Sequence, residues 1–406
     1  MNIYWGDLHS HCGITYGYGS LENALTAGKK QLDFCAIIGH AMWPDIPEYR
    51  GEYEYLKSMV SYHNKGFNKL AENWDYVRNT INQANNPEEF VTFQGYEIHS
   101  CQHGDHHIIS PEGDLPLVQG ESPYDLVDKL SPRRVIAILH HPGYAPGYRG
   151  ANWDTFSPEI SPVVEVYSKH GSAVSDNSPY NYLHSMGPRD SRSTIFSGLK
   201  KNKFGFVAST DHHAGYPGSY GDGRVAVLAE NKTRKDIWEA ILSRKTYAVT
   251  GDKIKCSFKI NGSEMGSIIN ASSQPNVSLS IEACDFIDKI TLYKNLKPWK
   301  IINGEFIESS GNDDLYKVRV EMGWGHEAEP YKWKGNINIK DGVLKSVDPC
   351  FRGQNVLSPE SKSKESDNIN QLNNKIIEQN ENEVRWECTT FKNPTTRHPQ
   401  TNSLLL

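Results

Sequence analysis

Six apolar runs in the first half of the chain end on metal-type side chains. They are "IYWGDLHSH" from residue 3, "FCAIIGH" from 34, "FVTFQGYEIH" from 90, "RVIAILHHP" from 134, "PVVEVYSKHG" from 162 and "FGFVASTDHH" from 204. Each is rich in Val, Ile and Phe and near-continuous rather than alternating, the pattern of strands buried on both faces of a parallel sheet.

Helical periodicity fills the gaps. Residues 20–32 open on a serine cap and keep Leu21, Ala24, Leu25 and Gly28 at helical spacing. Residues 52–85 predict further helix, broken near "HNKG". Residues 122–130 place serine and then proline at a helix start, and residues 233–243 form an amphipathic helix behind a threonine cap. Strand and helix in alternation predict an α/β barrel or a layered parallel sheet, in which sites gather where strands end.

The texture changes near residue 252. "CSFKI", "NVSLSIEA", "DKITLYKN", "DLYKVRVEM" and "KWKGNINIK" read as short strands divided by turn residues, with "VRWECTTF" as a last strand. The expected organisation is a barrel over residues 1–252 and a β-sandwich-like domain over 253–406. Within the second domain, 358–384 is a polar, disordered stretch by composition.

Composition narrows the chemistry. The 406 residues carry a net charge of −6, which gives no general attraction to nucleic acid. No apolar run approaches the ~18 residues of a membrane span. The first residues lack the basic start and apolar stretch of a signal peptide. Seven scattered cysteines without a CxxC suggest free thiols in a reducing, cytoplasmic setting. Fourteen of the sixteen histidines lie at or before His213.

In a strand, residues i and i+2 share a face, so His9 and His11 can hold one metal between them. Asp7 shares that side or fixes an imidazole from behind. Asp211 and His213 repeat the spacing. One HxH alone is as often structural as ligating. HxH together with DxH, His40, Glu97 and His141 at other strand ends is a metal site. By the same alternation, His140 and His212 should point the opposite way and pack against a helix or backbone. His63 and His184 read as surface or loop residues, and His326 and His398 as unrelated.

The motifs "GDLHSHC", "LENALTAGKKQLDFCAIIGH", "GYEIHS", "HHPGY", "VVEVYSKHG", "ASTDHHAG" and "ILSRKTYAVTGDKI" resemble the polymerase and histidinol phosphatase (PHP) superfamily, and within it the DUF3604-like proteins. The resemblance covers residues 3–266 well and the β-rich part more loosely. It implies a distorted (β/α)7 TIM-like barrel holding two or three divalent ions (Mn, Zn or Fe). Carried over residue by residue, it implies the ligands His9, His11, His40, Glu97, His106 or His107 with His106 favoured, His141, Asp211 and His213. Two positions depart from the pattern. Gly39 stands where the superfamily often has a carboxylate, and "CGITYGYGS" offers only Tyr16 and Tyr18 where another ligand is usual. His99 and His103 are the residues at hand to compensate.

The function implied is hydrolysis of a small organic phosphate ester by metal-bound hydroxide. Hydrolysis of a non-phosphate bond and a non-catalytic, metal-containing binding protein are the alternatives. A dianionic phosphate calls for basic groups: Arg149 and Arg192 first, then Arg189 and Arg224. His170 is the candidate acid or substrate contact, with Glu165 behind it as supporting carboxylate or interior ion partner. Tyr144, Tyr148, Tyr216 and Tyr220 are candidates for an entrance. The partners expected are a small-molecule substrate, no nucleic acid, no membrane and a homo-oligomer as an option.

Overall fold

The computed structural model describes the chain apart from residues 16, 47–56, 132–133, 179–187, 271–273, 305–314, 324–330, 354–373 and 391–401. Tyr16, His184, His326, His398 and residues 358–373 of the polar stretch therefore lie outside the described residues.

The first part folds in the order β1 (Asn2–Ser10), α1 (Leu21–Lys29), β2 (Phe34–Ile37), β3 (Gly39–Met42), α2 (Lys57–Ala84), β4 (Val91–Ile98), β5 (His106–Ser110) and α3 (Pro123–Lys129). It continues with β6 (Ile136–Leu139), β7 (Val163–Ser168), β8 (Gly171–Ser172), α4 (Ile195–Leu199), β9 (Gly205–Ala208), β10 (Arg224–Ala229), α5 (Arg234–Leu242) and β11 (Thr246–Val249). The three caps read from the sequence are formed. The hydroxyls of Ser20, Ser122 and Thr233 accept from the backbone N–H of Asn23, Asp125 and Asp236.

The strands form one curled sheet whose path runs β11-β10-β1-β2-β4-β5-β6-β7-β8, with β3 added on β4 and β9 on β7. It is mixed rather than purely parallel. β1 is parallel to β2 but antiparallel to β10, and β5 is antiparallel to both β4 and β6. The chain after β9 returns to the end of β1: Asp211 N–H donates to His9 O at 2.7 Å, and His11 N–H to His212 O at 2.9 Å.

α2 runs unbroken through "HNKG". Its buried positions His63, Gly66, Leu70, Trp74, Val77 and Ile81 form one helical stripe, and packing of that stripe carries the helix past the glycine. α1, α2 and α3 cover one apolar cluster that includes Leu21, Leu70, Tyr96 and Ile108. α5 covers a second one with Phe34, Phe93, Val225 and Trp238.

Among the described residues the second part is all β. It comprises β12 (Lys255–Ile260), β13 (Ser263–Glu264), β14 (Val277–Glu282), β15 (Lys289–Lys294), β16 (Lys297–Asn303), β17 (Arg319–Met322) and β18 (Tyr331–Asn338). β19 (Asp348–Cys350), β20 (Lys375–Gln379), β21 (Glu383–Thr390) and β22 (Asn402–Leu405) complete it. β20 is a strand inside the segment read as polar and disordered: it pairs with β21, and its Ile376 packs against the same apolar cluster as Val384 and Trp386. The sheets β17-β22-β19 and β18-β21-β20 enclose Met322, Phe351, Trp386 and Leu404. Tyr216, from the loop after His213, joins that cluster, and Asn374 donates to its hydroxyl at 3.2 Å. Tyr220 is likewise held there, its N–H on Phe351 O.

None of the seven cysteines is in a disulfide. Among the described residues no helix is long and apolar enough to cross a membrane.

Candidate metal centre

The strand ends bring histidines and carboxylates into one buried cluster. Glu97, at the end of β4, lies at its middle. Its Oε2 is 3.5 Å from His9 Nε2, 3.5 Å from His11 Nε2 and 3.3 Å from His40 Nε2. Its Oε1 is 3.1 Å from His140 Nε2 and 3.2 Å from His99 Nδ1. Asp211 Oδ1 reaches His11 Nε2 at 3.3 Å, and the His213 ring lies 4.2 Å from that of His11.

The far side of three of these imidazoles is fixed. His9 Nδ1 faces Glu165 Oε2 at 3.1 Å, His11 Nδ1 donates to Ile38 O at 2.8 Å, and His40 Nδ1 faces Thr15 Oγ1 at 3.2 Å. Such contacts leave Nε2 as the inward donor atom, the arrangement seen behind metal-bound histidines. Asp7 works from further back. Its carboxylate accepts from the N–H groups of His9, Thr210 and Gly218 and from the Thr210 hydroxyl, tying the two ligand-bearing segments together. Burial pushes its carboxyl up to about 6 against those four hydrogen bonds.

Electrostatics show what the cluster lacks. The side chains of Glu97, Glu165, Asp105 and Asp211 are at most 5% exposed, and Arg149 is the arginine paired with Asp105. An uncompensated buried ion costs several kcal/mol. Burial opposes ionisation of Glu97, but His40, His99 and His140 outweigh it and hold the carboxyl well below its usual range. Burial likewise disfavours a charged His9, yet Asp211 and Glu165 prevail and raise its pKa well above the usual value. His9 Nε2 and His11 Nε2 lie 2.9 Å apart. Both ring nitrogens of His107, Nδ1 of His140 and Oε1 of Glu165 are buried without a hydrogen-bond partner.

The donor set therefore fits divalent cations. Five groups of three or four side chains keep their donor atoms within 4.8 Å of one another. Besides residues already described, these groups take in His107, Asp105 and His141: His9–His107–His140, His11–His40–His213, His9–His11–Asp211, His40–Glu97–His99 and Glu97–Asp105–His140–His141.

No family model matches the chain. It is 28% identical over 261 residues to an uncharacterised protein of Chlamydia pneumoniae, covering 58% of this chain and 40% of that one. It is 25% identical over 296 residues to an uncharacterised protein of Chlamydia trachomatis, covering 69% and 44%. The chain thus spans less than half the length of these curated relatives. Among solved structures it is similar to a two-domain protein from Bacteroides vulgatus described as containing a predicted PHP-like metal-dependent phosphoesterase. That likeness has 16% identity and a TM-score of 0.39 and covers 75% of this chain and 85% of the other. Endonuclease Q, solved with a 27-mer duplex bearing an abasic lesion, gives 12% identity, a TM-score of 0.30 and coverage of 59% and 56%.

The structure brings His9, His11, His40, Glu97, Asp211 and His213 together, and it places His106 elsewhere. His106 turns toward Tyr124 with Nδ1 on Gly104 O at 2.8 Å, and burial pushes its imidazole down to about 3. His107 faces the cluster instead, its ring 4.6 Å from that of His9. His140 also points in, contrary to simple alternation, because β6 ends at Leu139 and the chain turns. At the next residue φ is +31°, so His141 lies alongside, with Nε2 3.5 Å from Asp105 Oδ2. His212 points away, toward Asp222 at 4.0 Å.

His63 is a buried member of α2, its ring 5.1 Å from that of His99. His103 pairs with Thr155 away from the centre. Gly39 is filled from the helix side: a Cβ there would meet Leu70 Cδ1 at 2.6 Å. His170 Nε2 sits 2.8 Å from Asp211 Oδ2. Arg149 donates to Asp105 at 2.6 Å and lies over the Trp43 ring. Arg192 is 75% exposed and bound to Asp190. Its neighbour Arg189 pairs with Asp176. Arg224 is buried among the carbonyls of Gly218 and Gly251. Asp211 has φ +48° and Arg149 φ +65°, so backbone strain collects around this cluster.

Proposed function

We propose that the chain is a metal-dependent phosphoesterase that hydrolyses a small organic phosphate ester, as the PHP-like motifs imply. The observation that carries this reading is Glu97. One of its oxygens faces three Nε2 atoms and the other faces His140 and His99, so the carboxylate would be shared among cations held by those histidines.

In this reading His9, His11, His40, His107, His140, His213, Glu97 and Asp211 would hold the ions, with His99, His141 and Asp105 completing one flank. When bound, divalent ions supply an activated water and polarise the phosphoryl oxygens. The remaining side chains hold the geometry. Glu165 orients His9, and His170 orients Asp211. Arg149 neutralises Asp105, and its charge is spent there rather than on substrate.

The test combines metal analysis with turnover of an aryl phosphate in the presence of Mn, Zn or Fe. Activity that disappears with the metal in a double His9→Ala, His11→Ala variant supports the proposal. Full metal loading without turnover across a broad panel of phosphate esters sinks it.

A further inference from the structure

We propose that Lys169 is the residue that grips the anionic group of the substrate at the open edge of the centre. The inference rests on the phosphoesterase reading above and names the side chain that recognises the phosphate.

Lys169 directly follows β7, and its N–H donates to Thr210 O at 3.2 Å, which ties it to the Asp211–His213 segment. Its Nζ lies 3.4 Å from His213 Nδ1. His213 marks where the cluster opens. Its side chain is 16% exposed, against 0% for His9 and His11, 4% for His40 and 5% for Asp211. An ester entering the centre from that edge meets Lys169 and His213 together.

The other cations are committed. Arg149 is held by Asp105, Arg224 by backbone carbonyls, Arg189 by Asp176 and Arg192 by Asp190. Among the described residues no carboxylate oxygen lies within 4 Å of Lys169 Nζ, and Asp211 and Asp222 act on it from further away. A partly buried ammonium without a contacting carboxylate is costly unless an anion completes it. An ammonium is also a compact charge with three rotatable donors, suited to non-bridging phosphoryl oxygens whose orientation changes during reaction.

The experiment is calorimetric titration of inorganic phosphate into the Mn-loaded protein, with Mn content measured in parallel. Lys169→Met should keep its Mn and bind phosphate at least about tenfold more weakly, the effect of removing a charge-assisted hydrogen bond. Lys169→Arg should recover much of the affinity. If the Met variant does not fold, Lys169→Gln serves in its place. Equal phosphate affinity in wild type and Lys169→Met, or loss of Mn from the variant, overturns the assignment while leaving the phosphoesterase reading intact. A Mn-loaded wild type that neither binds phosphate nor cleaves esters overturns both.

Discussion

His107 stands directly opposite Glu97 in the antiparallel ladder of β4 and β5. Directly paired residues share a face, so this register puts the imidazole and the carboxylate on the same side of the sheet and sends His106 to the other.

Exchanging the two neighbouring histidines for alanine separates their roles. His107→Ala should lower metal affinity by at least about tenfold, since even residues behind the ligands contribute that much. His106→Ala should keep full metal content and lose only about 0.5–3 kcal/mol of stability. Metal stoichiometry and melting temperature of both variants check this, and equal metal loss from both would refute the assignment.

Glu165→Gln should retain the fold yet bind metal some 10–100-fold more weakly, because the carboxylate that orients and polarises His9 is gone. Competition with a chelator of known affinity measures the change.

Arg149→Ala should destabilise the protein by about 3–5 kcal/mol, because it strands the fully buried Asp105. Arg192→Ala should leave melting temperature and turnover where they were. Denaturant titration of the two variants is the check, and a silent Arg149→Ala would contradict the picture of a committed guanidinium.

Acidity should act on the metal-free protein in a definite direction. Burial holds His40, His107, His141 and His213 well below their ordinary value near 6.5. Such groups stabilise the fold above that unfolded value, and the contribution is lost as pH falls toward their folded values. His9 opposes the trend. Its raised pKa contributes fully below about 6.5 and fades as pH rises through the folded value. His11, His103, His106 and His212 are lowered as well, and these eight histidines outweigh His9 and the raised carboxyls of Asp7 and Asp222, so the chelated protein should melt lower at pH 5 than at pH 7. Metal-loaded protein should show its midpoint raised at pH 7. Thermal melts across that range with and without chelator test both signs.

The pattern of apolar runs ending in histidine or carboxylate marked six strand ends that do converge, and three helix caps were readable from Ser20, Ser122 and Thr233. Pairing was not readable. Nothing local says that β5 runs antiparallel between β4 and β6, and only that register distinguishes His107 from His106. His140 was misplaced because alternation was extended one residue past the end of β6, where the turn before Pro142 takes over. His63 looked exposed because its burial depends on the stripe of α2 that includes Leu70 and Trp74. Arg149 and Arg192 look alike in sequence. Their different fates follow from Asp105 and Asp190, partners that spacing alone cannot rank.

The segment after β9 donates from Asp211 to His9 O, and His11 in turn donates to His212 O. The ligands at the two ends of the folding unit are thus stitched to each other, one set made early in synthesis and the other about two hundred residues later. A nascent chain carries His9, His11, His40 and Glu97 for more than a hundred further residues before Asp211 and His213 arrive. Completion of the ligand set is therefore a late event in synthesis.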